Sequence, residues 1–145
     1  MAGGPLAGVK VIDLTSVVVG PMVSLMLADY GADFLQISLW NAANMTLKRP
    51  AEHPVPLFVQ ALPSDLPVIS AGGIWTREEA ESQLALGASA VALGRSAILN
   101  ADWPSRVVEQ GEEPRRTPTT AAFLRASGLG EAFVNYLAAR PGFMA

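Results

Sequence analysis

The sequence predicts an α/β fold in which four βα units form a partial (half) TIM-type barrel or an open parallel sheet, with a helical C-terminal tail. Short apolar runs rich in β-branched residues alternate with helical patterns, and capping residues mark where those helices begin and end. This alternation is typical of parallel strands joined by right-handed crossovers. A complete eight-stranded barrel takes about 250 residues. The 145 residues of this chain therefore suffice for half of one.

The first two strands are predicted from their apolar character. Val9 to Leu14 is a short β-branched run, and Phe34 to Leu39 is a second one. Between them a helix begins at Gly20-Pro21, because proline suits the first helical position, and ends at Gly31. These segments form the first βα unit and the strand of the second.

The second unit continues through a long proline-containing segment. Residues 41 to 56 hold three prolines and much polarity, which indicates an irregular loop. A short helix is predicted from Leu57 to Leu62, and the third strand from Val68 to Ser70. Ala71-Gly72-Gly73 is the turn at which that strand ends.

The third and fourth units follow without a long loop. Thr76, with Glu79 three residues later, forms a capping box for a helix from Arg77 to Leu86. The fourth strand is predicted from Ala90 to Leu93, and a short helix from Ser96 to Leu99.

The remaining chain is predicted to be mostly helical. Residues 102 to 118 are charged and contain prolines, which indicates a surface excursion. Residues 120 to 137 carry two short helical patterns separated by Gly128 and Gly130.

Composition narrows the classes of function. Half of the residues are apolar and 16% are charged, which favours a packed core over disorder. A net charge of −3 argues against binding to nucleic acid. With no cysteine, the chain has no disulfide, zinc-thiolate site or thiol nucleophile. No signal peptide or membrane span is predicted, so we expect a cytoplasmic protein with no metal and no membrane association.

Two glycine turns are the candidate binding site. Gly72 and Gly73 follow the third strand, and Gly94 and Arg95 follow the fourth. Backbone N–H groups and a guanidinium at neighbouring parallel strand ends are typical of sites that hold the phosphate of a cofactor. The alternative is purely structural: glycines supply unusual backbone angles in tight turns, and Arg95 caps nearby carbonyls.

Several polar and aromatic residues have a plainer interpretation. His53 is the sole histidine and is predicted to be solvated in its loop, which excludes a histidine pair within one chain. Asp13 and Thr15 cap the turn after the first strand, although they could orient a ligand. Trp40 and Trp75 follow predicted strands and either line a ring pocket or serve as core packing or rim cover.

A tail pair of arginines, Arg115 and Arg116, is interpreted as a solvated charge pair. Neither residue is assigned to the site.

Residues 34 to 145 contain FLQISLWNA, RPAEHP, PVISAGGIWTREEAESQLALGASAVALGRSAILNADWP and NYLAARPGF. In this order and spacing these segments resemble the C-terminal part of the old yellow enzyme family. Members of that family are FMN-dependent NAD(P)H:flavin oxidoreductases and ene reductases. The resemblance implies that Gly72, Gly73, Gly94 and Arg95 bind the FMN phosphate. It also implies that the tyrosine proton donor and the His/His or His/Asn pair of that family belong to earlier barrel strands. We therefore predict no catalytic residue, weak FMN binding or none, and little turnover.

Residues 5 to 33, PLAGVKVIDLTSVVVGPMVSLMLADYGAD, are similar to the opening of the class III CoA-transferases. There this strand and helix begin a Rossmann-like domain that binds CoA. The chain is thus expected to be a hybrid: residues 1–33 form a CoA-transferase-like first unit, and residues 34–145 form the FMN-phosphate-binding end of a barrel.

The expected function is that of an FMN-binding oxidoreductase-like fragment, with NAD(P)H as a candidate second ligand. The alternatives are a CoA-binding protein of the transferase type and a non-enzymatic βα scaffold. Because a parallel sheet needs both faces covered, we also expect a homo-oligomer. An isologous dimer of two half-barrels is the simplest closed form.

Overall fold

The computed structural model describes residues 11–13 and 32–145. These residues form two compact units. The sheet unit contains the described residues up to Ile74 together with Glu78–Leu93, and the helical unit contains Trp75–Arg77 and Gly94–Ala145. The predicted helix at 20–31 lies outside the described residues.

Four parallel strands build the sheet unit, in the spatial order β1-β2-β3-β4. Their bounds are Val11–Asp13, Leu35–Ser38, Val68–Ala71 and Ala90–Ala92. Each strand lies within its predicted range, except that the third extends one residue further. Neighbours in the chain are neighbours in the sheet, as in a barrel segment. The predicted α/β class with a partial barrel or open parallel sheet is confirmed.

Helices cover one face of this sheet. Helix α1 (Pro54–Ala61) follows β2, and α2 (Arg77–Ala85) follows β3. Leu35 and Ile37 of β2 are buried in a cluster with Val55 and Phe58 of α1. Alternate residues of a strand point to the same face, so the core lies between the sheet and α1.

Helix α1 begins three residues earlier than predicted, because the prolines of this segment lie in its first turn. Pro54 and Pro56 occupy positions whose N–H groups have no intrahelical acceptor, so their missing donors cost nothing there. His53 caps the helix, with its Nδ1 accepting a hydrogen bond from the backbone N–H of Val55 at 3.2 Å. The predicted loop over 41–56 is therefore wrong at its end, and the segment that precedes Pro54 is irregular.

The helical unit contains four short helical segments. They are α3 (Arg95–Leu99), a π-helical segment (Pro104–Glu109), α4 (Ala121–Ala126) and α5 (Glu131–Ala138). Leu124, Val134 and Leu137 are at most 3% exposed and form the centre of this unit's core. The two predicted helical patterns of the tail are confirmed.

The segment from 102 to 118 is not purely a surface excursion. Trp103 and Val107 are buried, and the Trp103 indole N–H donates to the Trp75 carbonyl at 2.6 Å. Indole burial with a satisfied N–H explains why this charged segment stays attached to the core of the helical unit. The burial of Trp103 and Val107 could not be predicted from the sequence, because this segment is rich in charged residues.

An ion pair joins α4 to α5. The Arg125 guanidinium donates to both carboxylate oxygens of Glu131, at 2.5 and 3.0 Å. These bonds lower the pKa of Glu131 below its ordinary value. The stabilisation is therefore present above the ordinary glutamate pKa and is lost as the pH falls through the lowered one. Since both side chains are exposed, the contribution is small.

No helix in the described part of the chain is long and apolar enough to cross a bilayer.

Two leucines of the sheet unit allow the same substitution to be compared at opposite degrees of burial. Leu35 is 1% exposed and Leu47 is 98% exposed. Leu35→Ala should lower the free energy of unfolding by about 2–5 kcal/mol, because it leaves a cavity. Leu47→Ala should change it by less than about 0.5 kcal/mol. Urea denaturation measures both, and equal effects would contradict this packing.

Candidate functional site

The turn after β3 requires a glycine at its first position. Gly72 has φ +145°, and a Cβ at this position would clash with the Leu39 carbonyl oxygen. The Leu39 N–H donates to the Ala71 carbonyl and the Ala42 N–H donates to the Gly72 carbonyl, both at 2.7 Å. The segment that follows β2 is thus bound tightly against this turn, which confirms the structural interpretation of Gly72.

Gly73 occupies different surroundings. It is exposed with φ +61°, and a Cβ there would approach no atom closer than 3.9 Å. No described residue accepts a hydrogen bond from its N–H. Gly73 therefore keeps a backbone donor and open space for an anion, whereas Gly72 supplies the close approach of the two strand ends.

A buried polar network supports this turn from behind. Ser70 Oγ donates to Gln83 Oε1 at 2.9 Å, and Gln83 Nε2 donates to the Ala42 carbonyl at 3.1 Å. The same carbonyl lies 2.6 Å from His53 Nε2. Ser70 and Gln83 are almost fully buried, so these bonds satisfy groups that would otherwise be costly.

His53 is a structural residue, and its prediction as a solvated loop residue is wrong. It is half-buried, its Nδ1 accepts from Val55, and its Nε2 faces the Ala42 carbonyl. A carbonyl cannot donate, so Nε2 carries the proton and the ring is the neutral Nε2–H tautomer. Both ring nitrogens are thereby occupied.

Sequence reasoning misses the role of Gln83 in the buried network, because no local pattern distinguishes this residue.

The second glycine turn lies in the helical unit. Gly94 is exposed, a Cβ placed on it would meet no atom within 4 Å, and Arg95 is exposed without a partner among the described residues. Ser96 is 1% exposed, and its Oγ has no hydrogen-bond partner. An open glycine, an unpaired guanidinium and an orphaned hydroxyl in three successive residues fit an anion. Sequence reasoning misses Ser96, although it directly follows the Gly-Arg turn.

The two tryptophans differ in role. Trp40 lies two residues after the end of β2 and is 95% exposed. Trp75 is buried within the core of the helical unit. Core packing is thus confirmed for Trp75, whereas Trp40 is not part of the core and the ring-pocket and rim interpretations stay predictions for it. Asp13 is the last residue of β1, and Thr15 lies outside the described residues.

The arginine pair of the tail is more ordered than predicted. Arg115 stacks on the Phe123 ring at 4.1 Å, and Arg116 lies 5.3 Å from the Trp75 ring centroid. The buried Asn100 side chain binds both the N–H and the carbonyl of Arg115, at 2.8 and 3.0 Å. Both arginines remain exposed, so the prediction of solvated charges holds, with cation–π contacts added.

Two family models match parts of the chain. The nitronate monooxygenase model matches residues 49–112, and the CoA-transferase family III model matches residues 6–42. Nitronate monooxygenases are flavin-dependent TIM-barrel enzymes. Each match covers less than half of the chain. The search of curated proteins found no match.

These matches agree with a hybrid of two partial relatives. The CoA-transferase match confirms the predicted resemblance at the N-terminus and continues to residue 42, past the expected boundary at 33. The nitronate monooxygenase match supports a flavin-dependent barrel segment in the expected region. The old yellow enzyme family itself is not shown by either match.

Alanine substitution distinguishes the two glycines of the first turn. Gly72→Ala forces a Cβ into the Leu39 carbonyl at a positive φ, and should lower the free energy of unfolding by about 3 kcal/mol or more. Gly73→Ala adds only backbone strain, about 1–2 kcal/mol. Equilibrium denaturation of both variants measures the difference. Equal losses would show that the close approach at Gly72 is absent.

Proposed function

We propose that this chain binds the phosphate of a flavin mononucleotide and is a flavin-dependent oxidoreductase-like fragment. The observation that carries the proposal is the nitronate monooxygenase match over 49–112, which contains both glycine turns. A site that retains the phosphate end of a flavin pocket is the function these residues support best.

The chemistry of each turn suits a phosphate dianion. Gly73 offers an unpaired backbone N–H, and Arg95 offers an unpaired guanidinium beside the orphaned hydroxyl of Ser96. Charge-assisted hydrogen bonds of this kind are about twice as strong as neutral ones. The two turns belong to different units, and each offers its donors to an anion by itself.

The proposed substrate class follows from the family resemblance. A bound flavin supplies hydride chemistry, and NAD(P)H is the proposed reductant. Resemblance to the old yellow enzymes over 34–145 favours reduction of an activated alkene, whereas the match to nitronate monooxygenase favours nitronate oxidation. We propose the first as the finer assignment, because its motifs extend through NYLAARPGF near the C-terminus.

Turnover is expected to be low. His53 has both ring nitrogens bound to backbone groups, so the chain's sole histidine is not available as a proton donor. We therefore propose cofactor binding without efficient catalysis.

A CoA-binding protein is the second candidate, because the CoA-transferase III model matches residues 6–42. That match lies mostly outside the described residues. A rise in melting temperature with CoA, and none with FMN, would favour it over the flavin proposal.

Removing the guanidinium of Arg95 tests the proposed site. Arg95→Ala should weaken FMN binding roughly ten- to hundredfold, since a hydrogen bond to a charged group contributes about 1.5–3 kcal/mol. Equilibrium dialysis with flavin fluorescence measures the dissociation constant. Arg140→Ala is the matched control: Arg140 is also an exposed arginine of the helical unit, but it stacks on Tyr136 and should leave FMN affinity unchanged. Equal affinity of Arg95→Ala and the wild type would refute the role of Arg95.

A further inference from the structure

One face of the sheet has no covering layer among the described residues. Leu35, Ile37, Val68 and Ser70 are buried against the helices. The residues that alternate with them point to the opposite face, where one residue, Ala90, is exposed and five are half-buried. The residues of this face are Gln36, Ser38, Ile69, Ala71, Ala90 and Ala92.

The register places these residues in two rows across the strands. Gln36, Ile69 and Ala90 form one row, and Ser38, Ala71 and Ala92 form the next. Parallel sheets are found almost exclusively with both faces covered. Residues 11–13 and 32–145 thus supply a covering layer on one face of the sheet only.

The outer edge of β4 is also free. β4 pairs with β3, and no other strand of residues 11–13 or 32–145 pairs with it. Ala90 is exposed and Val91 and Ala92 are half-buried, so the strand is reachable from outside. An uncapped parallel edge is a template for a further strand.

We propose that a second copy of this chain covers both surfaces, and that two sheet units close into one eight-stranded parallel barrel. The twofold axis runs along the barrel, so β4 of each copy pairs with β1 of the other. β1 is the terminal strand at the opposite end of the sheet, runs parallel to β4, and pairs on its described side only with β2. One arrangement thus removes both free edges and places each uncovered face inside the barrel.

A second copy is favoured over an unrelated partner by strand number and order. The sheet has four strands in consecutive order, which is half of the eight required for closure, and all run in one direction. A second copy supplies four strands of the same kind, with edges complementary to those of the first. Closure of this kind does not depend on flavin binding.

The proposed symmetry makes a specific prediction about Ala90. A twofold axis along the barrel places every inward-facing residue across from its own copy. Ala90→Glu would then place two carboxylates opposite each other in the barrel interior, where uncompensated like charges are strongly unfavourable. In the single chain Ala90 is exposed, so the substitution is tolerated by the monomer.

The test is sedimentation velocity on the full chain, with circular dichroism as a check on folding. The wild type should sediment at twice the 15.2 kDa chain mass, and Ala90→Glu at the chain mass. Ala61→Glu is the matched control, because Ala61 is an exposed alanine at the end of α1, on the face of the sheet that the helices cover. This variant should remain dimeric. An equimolar mixture of Ala90→Glu and Ala90→Lys should restore the dimer through opposite charges.

Three results would overturn the proposal. The first is a wild type that is monomeric at about millimolar protein as well as at successive 100-fold dilutions from it. The second is the formation of open-ended larger assemblies in place of a closed dimer. The third is an Ala90→Glu variant that is as dimeric as the wild type. If Ala90→Glu fails to fold, the mixture with Ala90→Lys still decides: recovery of a folded dimer supports the proposal, and no recovery contradicts it.

Discussion

The carbonyl of Ala42 is the point on which the proposed site depends. It is buried and accepts hydrogen bonds from His53 and Gln83, which come from different elements of the sheet unit. The N–H of the same residue donates to Gly72. One peptide segment after β2 is therefore fixed to α1, to α2 and to the glycine turn at once. A turn held in this way is preorganised, so the proposed binding of an anion at the Gly73 N–H would cost little conformational freedom.

The glycine turn of the proposed phosphate site and the surfaces of the proposed assembly lie on different parts of the same sheet. The glycine turn lies at the carboxyl end of β3, where α/β proteins bind their ligands. The uncovered face and the edge of β4 are left for association. Weak cofactor binding by one copy and closure of a barrel by two are therefore compatible.

The strands and the glycine turns could be predicted because their signals are local. β-branched runs bounded by glycine or proline predict four strands close to those observed. The contacts that fix the site are not local: Gln83 reaches Ala42 across 41 residues, and Trp103 reaches Trp75 across 28.

The start of α1 and the role of Ser96 are not predicted from the sequence, for chemical reasons. Prolines usually indicate a loop, but the first turn of a helix tolerates them, and His53 is an uncommon N-cap. Ser96 carries no distinguishing pattern, since its significance is the missing partner of its buried hydroxyl. Composition and spacing cannot reveal either feature, because both depend on which groups meet in the folded chain.

The most direct measurement is a parallel titration of the purified chain with FMN and with riboflavin, followed by flavin fluorescence. The two ligands share the ring system and differ in the phosphate. If the glycine turns bind the phosphate, FMN should bind on the order of tenfold more tightly than riboflavin, or better, in line with a charge-assisted hydrogen bond. Equal affinities, or no binding of FMN at millimolar concentration, would contradict the phosphate site.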